Sequence, residues 1–342
     1  MPELETNQLI LIATAFAIVT GFAWMVFSVI HTRMTETADE KALEKLRHRR
    51  FRKYGEAAKA YEKARKKIED GNTVLIDLIH DLGDDFIGRD QAEQQITFDE
   101  AFEAVSAIRG ATPRSKIVLV LHTLGGYARP AHMIALALKS HLKRARQHSA
   151  KRDPMVVAYV PYVAMSGGTM IALSADKICM DETASLGPID TIYGGFPSEA
   201  YDELLKAKGV EATQDVLVML AHEAQKYDRY AAKVAREIIN PAHKTKSDEP
   251  HALADYLTSG KLSHSEAITP KRAKELGMNV AAKIPDTIYS LVDARIRMIQ
   301  TRVEEDEKQE KAEKAEREAE ALERERSPEK ILAKMMKARA PF

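Results

Sequence analysis

The residues best suited to chemistry are one serine and two pairs of glycines, each placed between an apolar run and a helix-like segment. Ser166 separates "VPYVAM" from "GGTMIALSAD", and Gly125 and Gly126 follow the apolar run "KIVLVLHT". A serine hydroxyl at such a turn is a candidate nucleophile, and nearby glycine amides are candidate donors to an oxyanion. This pattern is typical of acyl transfer through a serine.

The alternative for both glycine pairs is ordinary turn or helix-cap chemistry. Two features favour the functional interpretation. The hydroxyl of Ser166 should project at the carboxyl edge of a sheet, and the amide of Gly167 should lie at a helix N-terminus, where developing negative charge is favoured. The G-x-S-x-G elbow of α/β hydrolases does not fit, because Ala164 replaces its first glycine and no Asp-then-His order follows.

Alternating strand-like and helix-like segments must position these turns. The runs "TVLIDLI", "KIVLVLHT" and "PMVVAYVPYV" have the unbroken apolar character of buried strands, and "ITFDEAFEAVSAI" and "ARPAHMIALALKSHLK" have helical spacing. Strands that alternate with helices predict an α/β fold with a parallel sheet. Turns at the ends of neighbouring parallel strands can converge on one substrate carbonyl, so we expect the two glycine turns to lie close together.

Three segments resemble those of a known family: "LHTLGGYARPAHMIALALKSH", "VPYVAMSGGTMIALSADKICMDETASLGPID" and "LTSGKLSHSEAITPKRAKELGM". Between Val74 and Asp293 the chain resembles the serine dehydrogenase proteinases of the ClpP/crotonase superfamily. The resemblance implies a ClpP/crotonase-like spiral β-α fold and a cytoplasm-facing membrane peptidase, related to signal peptide peptidase A and NfeD-type proteases. It also implies a homo-oligomer.

The same resemblance implies roles for individual residues. Ser166 matches the superfamily nucleophile, and Gly167 together with Gly125 or Gly126 matches its oxyanion donors. The sequence contains neither a lysine-centred pyridoxal site nor a G-x-G-x-x-G fingerprint, so the word dehydrogenase in the family name has no counterpart here. We expect no cofactor, and no spacing typical of metal ligands is present.

A serine nucleophile needs a base. No histidine lies between His148 and His222, which argues against a ClpP-type triad and favours the Ser-Lys dyad of the signal peptide peptidase and NfeD branches. Lys226 is the expected base, because the apolar residues before it would desolvate it and lower its pKa. It also resembles a lysine at this place in the family. The alternatives left open are Lys206, Lys208, Lys233 and His222, and His122 is expected to be structural.

The N-terminal segment has the composition of a membrane anchor. Leu9 to Ile30 is apolar, and no Asp, Glu, Lys or Arg lies between Glu5 and Arg33. A helix of this length crosses about 30 Å of hydrocarbon. The acidic start "MPELET" argues against a cleaved signal peptide. The basic residues that follow predict a single-pass protein with its N-terminus outside and its catalytic domain in the cytoplasm.

We therefore predict four parts: a transmembrane anchor (1–35), a charged juxtamembrane helical stalk (36–71), a ClpP/crotonase-like peptidase domain (72–300) and a charged helical tail (301–342). The single cysteine, Cys179, agrees with a cytoplasmic domain. Basic and acidic residues both number 51, which argues against nucleic acid as a partner.

The predicted function is that of a membrane-anchored serine peptidase acting on peptides or proteins. Two alternatives of other classes remain open at this point. One is an inactive ClpP-like scaffold that recruits partners at the membrane, and the other is a crotonase-type acyl-CoA enzyme.

Overall fold

The computed structural model describes residues 53–83, 94–148, 155–194, 196–244, 251–263 and 266–325. The chain divides into two compact units, Met1–Glu56 and Ala57–Phe342. The predicted span from Leu9 to Ile30 lies outside the described residues. Within the described ranges, none of the helices combines the length and the hydropathy that a membrane span requires.

Short strands and longer helices alternate through the described residues. The strands are β1 (Thr73–Ile79), β2 (Lys116–His122), β3 (Val156–Val160), β4 (Val163–Ala164), β5 (Lys177–Met180), β6 (Ser185–Leu186), β7 (Ile192–Tyr193), β8 (Phe196–Pro197) and β9 (Val280–Ala281). The helices are α1 (described over 53–65), α2 (Phe98–Gly110), α3 (Ala128–His148), α4 (Gly167–Leu173), α5 (Ser198–Lys208), α6 (Asp215–Ile238), α7 (Ala252–Leu257), α8 (Pro270–Glu275) and α9 (Asp286–Glu325).

A five-stranded sheet in the order β1-β2-β3-β5-β9 forms the centre, and every neighbouring pair in it is parallel. Strand β2 is buried on both faces: Ile117, Leu119 and Leu121 are fully buried, and Val118 and Val120 between them are at most 5 % exposed. Strands of a parallel sheet are apolar throughout because helices cover both faces of the sheet. The predicted α/β fold with a parallel sheet is thus confirmed.

A second, smaller layer carries the chain beyond the ends of β2 and β3. Strand β4 pairs with β6, and Thr123 bridges to Ala164. The Thr123 amide donates to the carbonyl of Val163 at 3.0 Å, and the Met165 amide donates to the carbonyl of Thr123 at 3.0 Å. These bonds fix the chain after β2 against the chain before Ser166.

A buried histidine ties the C-terminal part of the unit to the sheet. His243 Nε2 lies 3.1 Å from the carbonyl of Ala175, and its Nδ1 accepts the backbone N–H of Asn279 at 2.9 Å. An Nδ1 that accepts is unprotonated, so this histidine is neutral with its proton on Nε2. Burial lowers the pKa of His243 from 6.5 to about 4.

We predict acid-sensitive stability from this histidine. Its pKa is lower in the folded chain than in the unfolded chain, so stability is complete above about pH 6.5 and falls as the pH drops toward about 4. The loss of unfolding free energy attributable to this residue at pH 5 is about 2 kcal/mol. Urea unfolding between pH 7 and pH 5 measures it. The unfolding free energy should fall less steeply with decreasing pH in His243→Gln than in the wild type. An equal pH dependence in that variant would show that His243 does not cause the effect.

Candidate active site

Ser166 occupies a backbone conformation that serine rarely adopts. Its φ is 47° and its ψ is −113°, and the Gly168 amide donates to the carbonyl of Met165 at 2.7 Å. These values define a type II′ turn with Ser166 at the position that glycine normally takes. A non-glycine residue there costs roughly 1–3 kcal/mol and marks a candidate functional constraint.

The turn at Gly125 and Gly126 lies directly against the serine turn. A Cβ atom added to Gly125 would lie 2.8 Å from the Cβ of Ser166 and 3.1 Å from the amide nitrogen of Gly167. A Cβ added to Gly126 would lie 2.3 Å from the backbone nitrogen of Ile96. No side chain fits at either glycine, so the close approach of these backbones requires both. The structure therefore brings together the two turns that the sequence placed on separate strands.

Two backbone amides of this pair of turns are available to a ligand. The Gly125 amide is engaged, because it donates to Thr123 Oγ1 at 3.0 Å. The amides of Gly126 and Gly167 have no acceptor among the described residues. The Gly126 nitrogen lies only 3.7 Å from the position of a Cβ added to Gly167. Of the two donors that the sequence left open, the geometry favours Gly126 over Gly125.

Ser166 has no base in contact within the part of the chain that the structure describes. Its hydroxyl forms no hydrogen bond to a described residue. His122 is buried, its ring lies edge-on to Tyr162 at 5.3 Å, and burial lowers its pKa to about 4. An imidazole with this pKa stays neutral at physiological pH.

The predicted base lies on the outside of α6. The side chain of Lys226 is 61 % exposed, and its Nζ lies 2.5 Å from Glu223 Oε1. The apolar surroundings expected from the sequence are therefore absent around this lysine in the single chain. The other candidates are exposed as well: Lys206, Lys208, Lys233 and His222. The structure brings Ser166 together with the glycines, and no described lysine forms a hydrogen bond with its hydroxyl.

Buried polar residues that the sequence does not single out hold the two turns. Thr169 Oγ1 donates to the carbonyl of Ala164 at 2.7 Å and accepts the amide of Gly187 at 3.0 Å. Thr123 binds the Gly125 amide, and His80 Nδ1 lies 2.8 Å from Thr123 Oγ1. The only signal in the sequence is a polar residue directly after an apolar run, which is a weak indication by itself.

Known proteins that are similar to this chain agree with an α/β fold and a serine-based site. A family model described as ClpP-like SDH-type serine proteinase matches residues 51–319. The chain belongs to this family, which confirms the resemblance drawn from the three sequence segments. Membership of a family of serine proteinases supports a serine peptidase.

Two curated relatives are uncharacterized proteins of Methanocaldococcus jannaschii. The first is 36% identical over 209 residues, which cover 60% of this chain and 68% of the relative. The second is 34% identical over 200 residues, which cover 58% of this chain and 63% of the relative. The matched region thus spans about two thirds of these relatives.

Two solved structures of the 1510-N membrane-bound stomatin-specific protease are also similar. One is a lysine-to-alanine mutant in complex with a substrate peptide, with 19% identity and a TM-score of 0.34, covering 62% of this chain and 75% of the other. The second is a serine-to-alanine mutant with 17% identity and a TM-score of 0.33, covering 65% of this chain and 86% of the other.

The strained turn generates a stability prediction. Ser166→Gly should raise the free energy of unfolding by about 1 kcal/mol, because relief of the strain exceeds the entropy that glycine adds to the unfolded chain. Ser166→Ala is the matched control: it also lacks the hydroxyl but retains a Cβ, so it should stay within about 0.5 kcal/mol of the wild type. Denaturant unfolding of the three proteins distinguishes these outcomes. Equal stability of the Gly and Ala variants would contradict the strained conformation.

Proposed function

We propose that this protein is a membrane-anchored serine peptidase whose nucleophile is Ser166 and whose oxyanion donors are the Gly126 and Gly167 amides. The proposal rests on one observation above all: a serine held in a strained turn beside two backbone amides that have no acceptor among the described residues. Membership of the serine proteinase family supports the same reaction class. The membrane anchor is proposed from the apolar segment Leu9 to Ile30.

The proposed reaction follows from the chemistry of these groups. Ser166 Oγ attacks the carbonyl carbon of the scissile peptide bond, and the proton of its hydroxyl passes to the neutral side-chain amine of the base. The carbonyl oxygen becomes an oxyanion that accepts hydrogen bonds from Gly126 and Gly167, which stabilise charge present only in the transition state and the intermediate. The C–N bond then breaks, the leaving amine takes the proton, and water hydrolyses the acyl-serine. Loss of one such donor typically costs about 100- to 1,000-fold in rate.

Lys226 is the proposed base. This role requires that Lys226 be removed from water, and the surface around it is suited to being covered. Val216, Met219 and Tyr227 recur at helical spacing on one side of α6, and they are 57 %, 68 % and 47 % exposed. Lys226 lies on the same side of the helix. In the proposed homo-oligomer a second copy covers this apolar side of α6 and removes Lys226 from water, which a lysine that acts as a base requires.

The first prediction from this proposal concerns the serine and the lysine. Ser166→Ala should abolish both labelling by a fluorophosphonate probe and peptide cleavage, because the acylated atom is absent. Lys226→Ala should lower the cleavage rate about 100-fold or more, the usual scale for a positioned base. Initial rates with a fluorogenic peptide measure both effects.

Arg229→Ala is the matched control for the lysine, because it removes an exposed cation from the same helix. It should leave the rate unchanged. A normal rate in Lys226→Ala would reject this lysine, and Lys206→Ala and Lys208→Ala would then be compared. A wild-type protein that never labels would reject the peptidase and favour an inactive scaffold or a crotonase-type enzyme.

The second prediction concerns the apolar side of α6. Met219→Glu should convert the oligomer to monomers, because it places a charge on the surface that a second copy covers. It should also lower peptide cleavage, because Lys226 then stays in water. Light scattering measures the molar mass, and Ala107→Glu on the exposed side of α2 is the control that should retain the oligomer. A Met219→Glu oligomer with full activity would contradict the proposed desolvation.

A further inference from the structure

A buried chain of hydrogen bonds lies directly behind the turn at Gly125 and Gly126. Thr123 is fully buried, and His80 is only 2 % exposed. Thr123 Oγ1 accepts the Gly125 amide at 3.0 Å and lies 2.8 Å from His80 Nδ1. His80 Nε2 in turn lies 3.1 Å from Glu100 Oε1. The chain runs from the glycine turn, through the residues that directly follow β2 and β1, to the first turn of α2.

The chemistry of the partners assigns one proton of this chain. A carboxylate accepts and does not donate, so His80 carries its proton on Nε2 and donates it to Glu100. Thr123 Oγ1 has a single proton and two acceptors within reach, the carbonyl oxygen of Gly125 at 3.2 Å and His80 Nδ1 at 2.8 Å. Either acceptor leaves a lone pair of Thr123 Oγ1 for the Gly125 amide. Thr123 Oγ1 thus lies within hydrogen-bond distance of both the N–H and the C=O of Gly125, and His80 and Glu100 continue the chain behind it. Such chains strengthen cooperatively.

Glu100 also fixes the segment on the other side of the glycine turn. Its Oε2 accepts the backbone N–H of Thr97 at 3.2 Å in a capping box at the start of α2. The neighbouring residue Ile96 donates its amide to the carbonyl of Gly125 at 2.8 Å. Glu100 therefore supports both groups that bind Gly125. It supports the Thr123 hydroxyl through His80, and it supports the backbone of Ile96 through the neighbouring Thr97.

These bonds determine which way the peptide between Gly125 and Gly126 faces. The C=O and N–H of a trans peptide point in opposite directions. Holding the Gly125 carbonyl toward Ile96 therefore turns the Gly126 N–H away from Ile96. The φ values of Gly125 and Gly126 are 108° and 154°. Glycine tolerates many other backbone conformations, so the sterics of these two residues do not hold the peptide in this orientation.

We infer that Thr123 is a positioning residue that holds the Gly126 amide toward Ser166, and that His80 and Glu100 hold Thr123. The inference rests on the proposed oxyanion role of Gly126. Thr123 does not touch the substrate. It acts on the transition state through the orientation of one peptide group, so its loss lowers kcat and leaves KM nearly unchanged.

Thr123→Val tests this inference, because valine has nearly the same shape and lacks the hydroxyl. We expect kcat for peptide cleavage and the rate of fluorophosphonate labelling to fall about tenfold or more, with KM within about twofold. Thr123→Ser restores the hydroxyl and should recover most of the rate. Thr213→Val is the matched control: it removes a mostly buried hydroxyl that donates to a backbone carbonyl, that of Gly209 at 2.8 Å, and should leave kcat unchanged.

A second pair of variants tests the chain if Thr123→Val does not fold. The side-chain amide of His80→Asn can form a hydrogen bond with Thr123 Oγ1 in place of Nδ1, whereas the amide of His80→Gln replaces Nε2 and loses contact with Thr123. We expect His80→Asn to retain a clearly higher kcat than His80→Gln. Equal kcat values in the two variants, or a wild-type kcat in Thr123→Val, would overturn the inference.

A crystal structure of Thr123→Val keeps this inference separate from the peptidase proposal. The inference predicts that the peptide between Gly125 and Gly126 is rotated or disordered in that variant. An unchanged peptide would overturn it, whether or not the protein cleaves peptides. A wild-type protein that never labels would instead reject the peptidase proposal, and the orientation of the peptide in the variant would still decide the role of Thr123.

Discussion

The close packing of two backbone turns is the constraint on which the rest of the site depends. A single Cβ atom on Gly125 would lie 2.8 Å from the Cβ of Ser166, a distance that real side chains do not tolerate. The contact is possible because β2 and β3 are parallel neighbours, so the chain leaves both at the same edge of the sheet. Bonds between Thr123 and the Val163 to Met165 segment then hold the two exits together.

One half of the site is held by buried, hydrogen-bonded residues, and the other half lacks a base in contact with Ser166 among the described residues. Buried hydroxyls and His80 hold the serine turn and the glycine turn from behind, and these residues are almost inaccessible to water. Lys226 instead lies on an exposed side of α6, paired with Glu223. In the proposed account, oligomerisation completes the site by covering that side of α6, which limits activity to the assembled protein.

Much of the fold follows from the sequence, because its signals are local. The unbroken apolar run of β2 and the helical spacing of α3 predicted their elements, and paired glycines marked the turns. The positive φ of Ser166 was not predictable, because a serine before two glycines equally indicates a helix cap. The surroundings of Lys226 were not predictable either, because Val216 and Met219 before it are apolar but exposed, and composition does not distinguish a core from an interface.

The central claim is that Ser166 and the amides of Gly126 and Gly167 form one acyl-transfer site. A crystal structure of the protein after reaction with a fluorophosphonate tests it most directly. The account predicts a covalent bond from Ser166 Oγ to phosphorus, with the phosphonyl oxygen about 2.7–3.1 Å from both amide nitrogens. A bond to a different residue, or a phosphonyl oxygen that faces away from Gly126 and Gly167, would contradict the account.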